Sequence, residues 1–285
     1  MRYDRRVPDA LLDLLLPGGR LGWLRTDLDH PANAGVHVHL RGAPQPTIAI
    51  YRGRTCVLSI GQEGRLHADP RYVALRPGLF SQPDWDQASL RDYLAAVAEA
   101  AHESLVGGEA PLQAALLRAA GPFAAPEADW VALDAELRVA YPSATDRTAF
   151  EEALPARLGL PAGAAVPRKL DILGLDRHGA LLLIEVKRNA AGLDRAAWQA
   201  AVHVARMRAL MAAQADLAAV IAEQAAARAR VGLLGAARPP RWTGPSSRSS
   251  PPPIRGRAGR PAGGRPWGPS SRRRAVTSTA CASGD

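Results

Sequence analysis

The sequence predicts an α/β protein in three parts. Three observations carry this: alternating apolar runs over 36–60, two longer apolar runs that meet at Arg177-His178-Gly179, and apolar residues at helical spacing around both groups. The chain of 285 residues has enough apolar content for one large domain or two small ones.

The first part spans residues 1–125 and reads as an α+β region. VHVHL, TIAIY and TCVLSI are expected strands, with Arg52-Gly53-Arg54 as a turn and a further short strand near Tyr72–Leu75. Residues 88–107 and 110–120 are expected helices, because Leu94, Val97 and Ala101 recur at helical spacing. Gly121-Pro122 and Pro126 mark the end of this region. Binding DNA, forming a homodimer and recognising another partner all remain open for it. His37 and His39 share a strand face with His30 near in sequence, and they read as ordinary strand histidines, since zinc wants a fuller ligand set.

The second part spans residues 126–237. Helices are expected at Trp130–Val139 and Ala149–Leu158. A Pro/Gly/Ala connector leads to the strands KLDILGLD and ALLLIEVK. A long Ala-rich helical region follows from about Asp194, whose carboxylate suits an N-cap, and VGLL at 231–234 reads as a short closing strand.

The third part, 238–285, is rich in Pro, Gly, Ser and Arg and almost lacks aliphatic residues. It cannot bury enough apolar surface to offset its ordering entropy, so disorder is expected. It holds ten of the 36 basic residues and one of the 27 acidic ones, so the whole formal charge of +9 belongs to it and the body is formally neutral. Net charge therefore says nothing about what the body binds. A cationic tail can hold phosphates without sequence preference, but having no evolved role is the favoured reading. Cys56 and Cys281 imply no disulfide framework or cysteine zinc site, which suits a reducing cytoplasm. The basic, briefly apolar start is a poor signal peptide because Asp13 and Pro17 interrupt it, and no run is long enough to span a membrane.

Chemistry concentrates in the hairpin. Lysine occurs only at Lys169 and Lys187, while every other basic side chain is arginine. Lysine is a compact, mobile point charge that can lose its proton, which matters beside a reacting phosphate and little on a solvated surface. With a three-residue loop at Arg177-His178-Gly179, Asp176 pairs with Ala180. Counting outward sets Asp171 opposite Glu185 and Lys169 opposite Lys187. Opposed residues share a face with Cβ atoms about 4.5–5.5 Å apart. Two carboxylates so placed repel unless a cation lies between them, and a divalent ion with oxygen ligands at about 2.0–2.1 Å serves. A two- or four-residue loop would instead pair Asp171 with Ile184. Both strands are apolar on both faces, so the hairpin is expected to be covered on both sides with its charges at a cleft.

Asp171 at the start of one strand and Glu185-Val186-Lys187 at the end of the next resemble the PD-(D/E)xK nuclease superfamily. Within it, KLDILGLDRHGALLLIEVKRN is most similar to the mismatch- and branched-DNA endonuclease group. The resemblance covers residues 150–210 and departs from the pattern at Leu170, where a proline would precede the aspartate. It implies a restriction-endonuclease-like mixed-sheet core with flanking helices. It also implies Mg2+ or Mn2+ held by Asp171, Glu185 and the Val186 carbonyl, with Lys187 orienting water or stabilising phosphoryl charge. A helix acid often completes such a site; Glu151 is favoured over Glu152 and Glu136. Gln199, His203 and Arg206 share a helix face, and Gln-x-x-x-His resembles the Gln-x-x-x-Tyr of some members, so Gln199 is a candidate to orient a water or a phosphate. Arg188 and Arg195 flank the hairpin as phosphate clamps, against the plainer reading as solvated arginines. The expected partner is nucleic acid, with DNA favoured because most relatives act on it. Two other readings stand beside the enzyme: a non-catalytic nucleic-acid-binding or assembly protein of the same fold, and a plain amphipathic strand end.

Overall fold

The computed structural model describes residues 1–28, 36–42, 45–53, 55–81, 85–100, 109–160, 166–188, 190–235 and 276–281. Its elements follow in chain order. Helices α1 (Asp9–Asp13) and α2 (Leu24–Leu28) precede strands β1 (Val36–Arg41), β2 (Thr47–Arg52), β3 (Thr55–Gly61) and β4 (Leu66–His67). Helices α3 (Pro70–Val73), α4 (Pro77–Ser81), α5 (Gln87–Ala100) and α6 (Ala110–Ala119) come next. Then follow β5 (Trp130–Leu137), α7 (Ala144–Arg157), β6 (Leu170–Asp176), β7 (Leu181–Val186), α8 (Ala190–Ala213), α9 (Leu217–Arg230) and β8 (Val276–Cys281). The strands form two antiparallel sheets, ordered β1-β2-β3-β4 and β5-β6-β7-β8. No helix among the described residues is long and apolar enough to cross a membrane.

The three N-terminal strands stand where alternation sets them. One face of β1 sends Val36, Val38 and Leu40 into a core with Ile48, Ile50, Leu58 and Ile60, which Leu90, Tyr93 and Val97 of α5 cover. Burial of such side chains contributes about 1.5–3 kcal/mol each. The opposite face of β1 carries His37, His39 and Arg41, and it lies toward the second sheet rather than toward water. Arg54 of the expected turn, residues 101–107 of the helix expected over 88–107, the connector at 161–165 and His30 lie outside the described residues.

Several expectations are corrected. Trp130–Val139 holds strand β5, not a helix. Its Ala, Leu and Glu suit a helix alone, but Val131 to Ala135 are buried and β5 pairs with β6 along its length. Tyr72–Leu75 is not a strand: Tyr72 and Val73 belong to the short helix α3, whose N-cap Asp69 accepts from the Arg71 amide at 3.0 Å. Helix α8 begins at Ala190, so Asp194 lies within it and is no N-cap. The VGLL segment is a buried turn. Val231 and Leu233 pack into the N-terminal core, so no parallel strand closes the sheet, and the expected mixed sheet is antiparallel throughout the described strands. Residues 276–281, expected to be disordered, form β8 against β7, from Leu181↔Cys281 to Val186↔Val276. The run VTSTAC is unlike the rest of the tail, with β-branched residues that suit an open sheet edge. The remaining tail residues, 238–275 and 282–285, lie outside the described residues.

The two halves exchange their ends. Tyr3 packs among the second sheet's apolar residues, and Arg2 bridges to Ala140 by backbone hydrogen bonds of 2.8 and 2.9 Å. Val231 and Leu233 return to the first core. At the end of β1 the N-terminal segment passes so close that a Cβ on Gly42 would stand 2.5 Å from the Arg5 Cα. Gly42→Ala should therefore loosen the seam between the halves and lower stability by roughly 1–3 kcal/mol. Chemical denaturation measures this, and an unchanged midpoint would show that the crossing is not tight.

Candidate functional site

The hairpin is built by its loop. The Asp176 amide donates to the Ala180 carbonyl at 2.9 Å, and Gly179 takes a left-handed φ of 84°. The Asp176 carboxylate accepts from the His178 and Ala180 amides, both at 2.8 Å, which locks the turn. Register follows: Leu175↔Leu181, Gly174↔Leu182, Leu173↔Leu183 and Ile172↔Ile184. Asp171 and Glu185 lie just past this last regular pair, at the open end of the ladder.

Packing covers both faces. Leu173, Leu175, Leu181 and Leu183 meet Met207 and Leu210 of α8 and Val220 and Ile221 of α9. Ile172, Ile184 and Val186 meet Leu117 of α6 and Ala120. This apolar grip carries three charged side chains out of solvent: Asp171 and Glu185 are each 5 % exposed and Lys187 is 9 % exposed. Buried charges need partners, and these have them. An Asp171 carboxylate oxygen accepts from the Val186 amide at 2.8 Å, a bond that follows the last regular rung of the ladder. The Lys187 ammonium donates to Glu185 Oε1 at 2.7 Å and to the Val186 carbonyl at 3.1 Å. Glu185 Oε2 lies 3.4 Å from His203 Nε2.

Electrostatics follow the contacts. Burial pushes the Glu185 carboxyl upward, but His203 and Lys187 together outweigh it and hold the group below the usual carboxylate value. Burial likewise opposes the Lys187 charge, and Glu185, Asp171 and Glu109 overcome it to raise the ammonium above its ordinary value.

The expected residues fare differently. Asp171, Glu185, Val186 and Lys187 gather at one end of the hairpin, with His203 of α8 beside Glu185. Gln199 lies one turn before His203, and its Oε1 is buried without a hydrogen bond from any described residue. Arg188 and Arg195 are exposed. Glu151 is drawn elsewhere, to Arg206 at 3.0 Å, and the same guanidinium donates to the Pro167 carbonyl. Glu136, expected on a helix, lies in β5. The pairs Ala135↔Ile172 and Leu137↔Leu170 set it across from Asp171. Its φ of 51° makes it the single non-glycine residue among those described with positive φ. It bonds to Lys169 at 2.8 Å and to Gln113 at 3.3 Å.

Two residues escape a reading centred on the hairpin. Glu109, just before α6, lies 3.6 Å from the Lys187 ammonium. Gln113, one turn further, donates to the Asp171 carbonyl at 3.0 Å. Their signal is an acid at the start of an amphipathic helix with an amide four residues on, but they precede the expected domain boundary. Among the described residues no three His, Cys, Asp or Glu side chains converge to hold a metal ion.

Comparison with protein-family models, with curated proteins and with solved structures returned no match to this chain.

Because the Glu185 carboxyl is held low, its contribution to stability is present above the unfolded value of about 4.3 and is lost as pH falls through the folded one. Lys187→Met removes one of the groups that hold it there. The Glu185 carboxyl should then titrate at higher pH, read by carbon NMR of the side chain; an unmoved titration would mean the ion pair is not formed in solution.

Proposed function

We propose that the second half of this chain is a metal-dependent phosphodiesterase, and within that class a DNA endonuclease of the PD-(D/E)xK type on a restriction-endonuclease-like core. The observation that carries the reading is the end of the hairpin: Asp171 and Glu185 lie just past its last regular pair, both buried, with the Asp171 carboxylate on the Val186 amide and the Lys187 ammonium 2.7 Å from Glu185. A solvated strand end would not draw two carboxylates and an ammonium out of water together. The positive φ of Glu136 opposite Asp171 supports it, since backbone outliers gather at functional sites.

The donor set suits magnesium or manganese. Magnesium is usually held by one or two carboxylates, with waters and substrate phosphate completing the shell, so a closed protein cage of three side chains is not required. Asp171, Glu185 and the Val186 carbonyl are the oxygen donors for it. A divalent ion bound there would lower the pKa of a water and neutralise charge on the phosphodiester. Lys187 is set to orient the attacking water or to stabilise charge on the phosphoryl oxygens. His203 steadies the far oxygen of Glu185. Gln113 anchors the Asp171 backbone and so fixes where that carboxylate starts. Glu109 lies 3.6 Å from the Lys187 ammonium and helps to hold it, while Glu151, first expected to complete the metal site, is bound to Arg206.

Cleavage of a panel of single-stranded, mismatched and branched DNA is expected with Mg2+ or Mn2+ and not with chelator. Lys187→Ala should lower turnover by about 10²–10³-fold, and Asp171→Ala should abolish it. Binding without cleavage by the wild type would favour the non-catalytic reading, and cleavage that survives chelation would overturn the metal-dependent one.

A further inference from the structure

A second buried charge cluster lies between the two sheets, apart from the end of the hairpin. Asp134 of β5 is its centre. Asp134 Oδ1 accepts from Arg41 at 2.7 Å and from the Ala135 amide at 2.8 Å. Its Oδ2 accepts from Arg5 at 2.8 Å, with the Tyr3 hydroxyl at 3.4 Å. Arg41 also reaches the Tyr51 hydroxyl at 3.2 Å, and the Tyr3 hydroxyl bonds to Gln224 of α9. Both carboxylate oxygens are thus committed.

A third guanidinium enters the same region. Arg228 of α9 is 3 % exposed, and its Nε and Nη1 find no hydrogen-bond partner among the described residues. Asp134 and Tyr3 lie near enough to favour its charge, yet burial outweighs them and lowers its pKa to about 10, so it stays cationic at neutral pH. His39 of β1 is 2 % exposed, and neither ring nitrogen has a partner among the described residues. Burial, then the nearby His37, Arg41, Arg228 and Arg5, holds its pKa well down, so the ring is neutral with one N–H to donate. His37 and Tyr51 wall the histidine, with ring centroids 4.8 and 5.2 Å away.

Three guanidinium groups against one carboxylate leave two positive charges, and an unpaired buried cation is costly. The donors without partners belong to Arg228 and His39, both nearly fully buried, while the Arg5 and Arg41 side chains keep 15 % and 16 % exposure. We propose that this cluster binds a small oxyanion of the phosphate class, held by Arg228 and His39 with Arg41 and Arg5 at its margin. Guanidinium forks match the paired oxygens of such an ion, and a phosphate carries close to the missing two negative charges. The near-complete burial of Arg228 and His39 favours a free ion over the end of a nucleic-acid strand. A bound oxyanion would tie α9, β1 and the N-terminal segment together, and so couple the two halves of the chain.

The test is thermal melting of the full chain in phosphate-free buffer with chelator, at constant ionic strength, against inorganic phosphate. The expected result is a saturable rise of roughly 5–10 °C at about a hundred times the dissociation constant, with no such rise for chloride. Arg228→Met should melt no lower than the wild type without phosphate and should lose the rise. Lys187→Ala should keep it, which separates this cluster from the hairpin. A 5′-phosphorylated oligonucleotide beside its 5′-hydroxyl twin distinguishes the sources: a shift with the phosphorylated strand alone would assign a strand end to the same cluster. If Arg228→Met does not fold, His39→Phe must weaken the phosphate response. No saturable response to inorganic phosphate or to the phosphorylated strand, or an equal one in these variants, would overturn the proposal.

Discussion

The second half of this protein depends on one register. The hairpin loop at 177–179 sets Leu175 against Leu181, and the pairs run on to Ile172 and Ile184, with Asp171 and Glu185 just beyond them. A slip by one residue would turn the leucines of one face away from α8 and α9 and would separate the two acids. The same constraint that packs the hairpin therefore assembles the charge at its end. Burial on both faces raises the cost of any charge left unpaired, and the charges there are met, Asp171 by the Val186 amide and Glu185 by Lys187 with His203 beside it. Structure and candidate chemistry share a cause.

The seam between the halves works differently. It is polar and is centred on Asp134, which lies behind two arginines and a tyrosine. Breaking such a pair leaves a buried charge exposed to no water, so the seam resists opening even though it is not a hydrophobic core. The exchanged ends add to it, with Tyr3 on one side and Val231 and Leu233 on the other. The β-rich N-terminal part is thereby held against the sheet that carries the candidate site. A surface that contacts substrate on one half would have a fixed relation to the other.

Much of this was legible in the chain itself. The strands β1 to β3 follow from alternation, and helix α6 from its apolar spacing. The hairpin follows from a glycine-ended loop between two apolar runs. Counting from the loop put Asp171 and Glu185 at the same end of the hairpin, and the regular pairs reach Ile172 and Ile184 beside them. Strand β5 was not legible, because WVALDAEL is rich in helix formers and becomes a strand by pairing with β6. Glu109 was not legible as a partner of Lys187, because the two are far apart in sequence and meet only when α6 packs on the hairpin. Glu151 had the right residue type in the right neighbourhood, but Arg206 claims it.

The sequence by itself determined the local periods, the turn and the residue types at one end of the hairpin. These depend on backbone geometry and on neighbours a few positions away. Tertiary structure alone decided which distant groups complete the cluster, and that Arg5, Arg41 and Arg228 surround a single aspartate. Such pairings depend on how helices and sheets pack. Long-range packing assigns a charged side chain its partner, and a string of residues does not carry that distance.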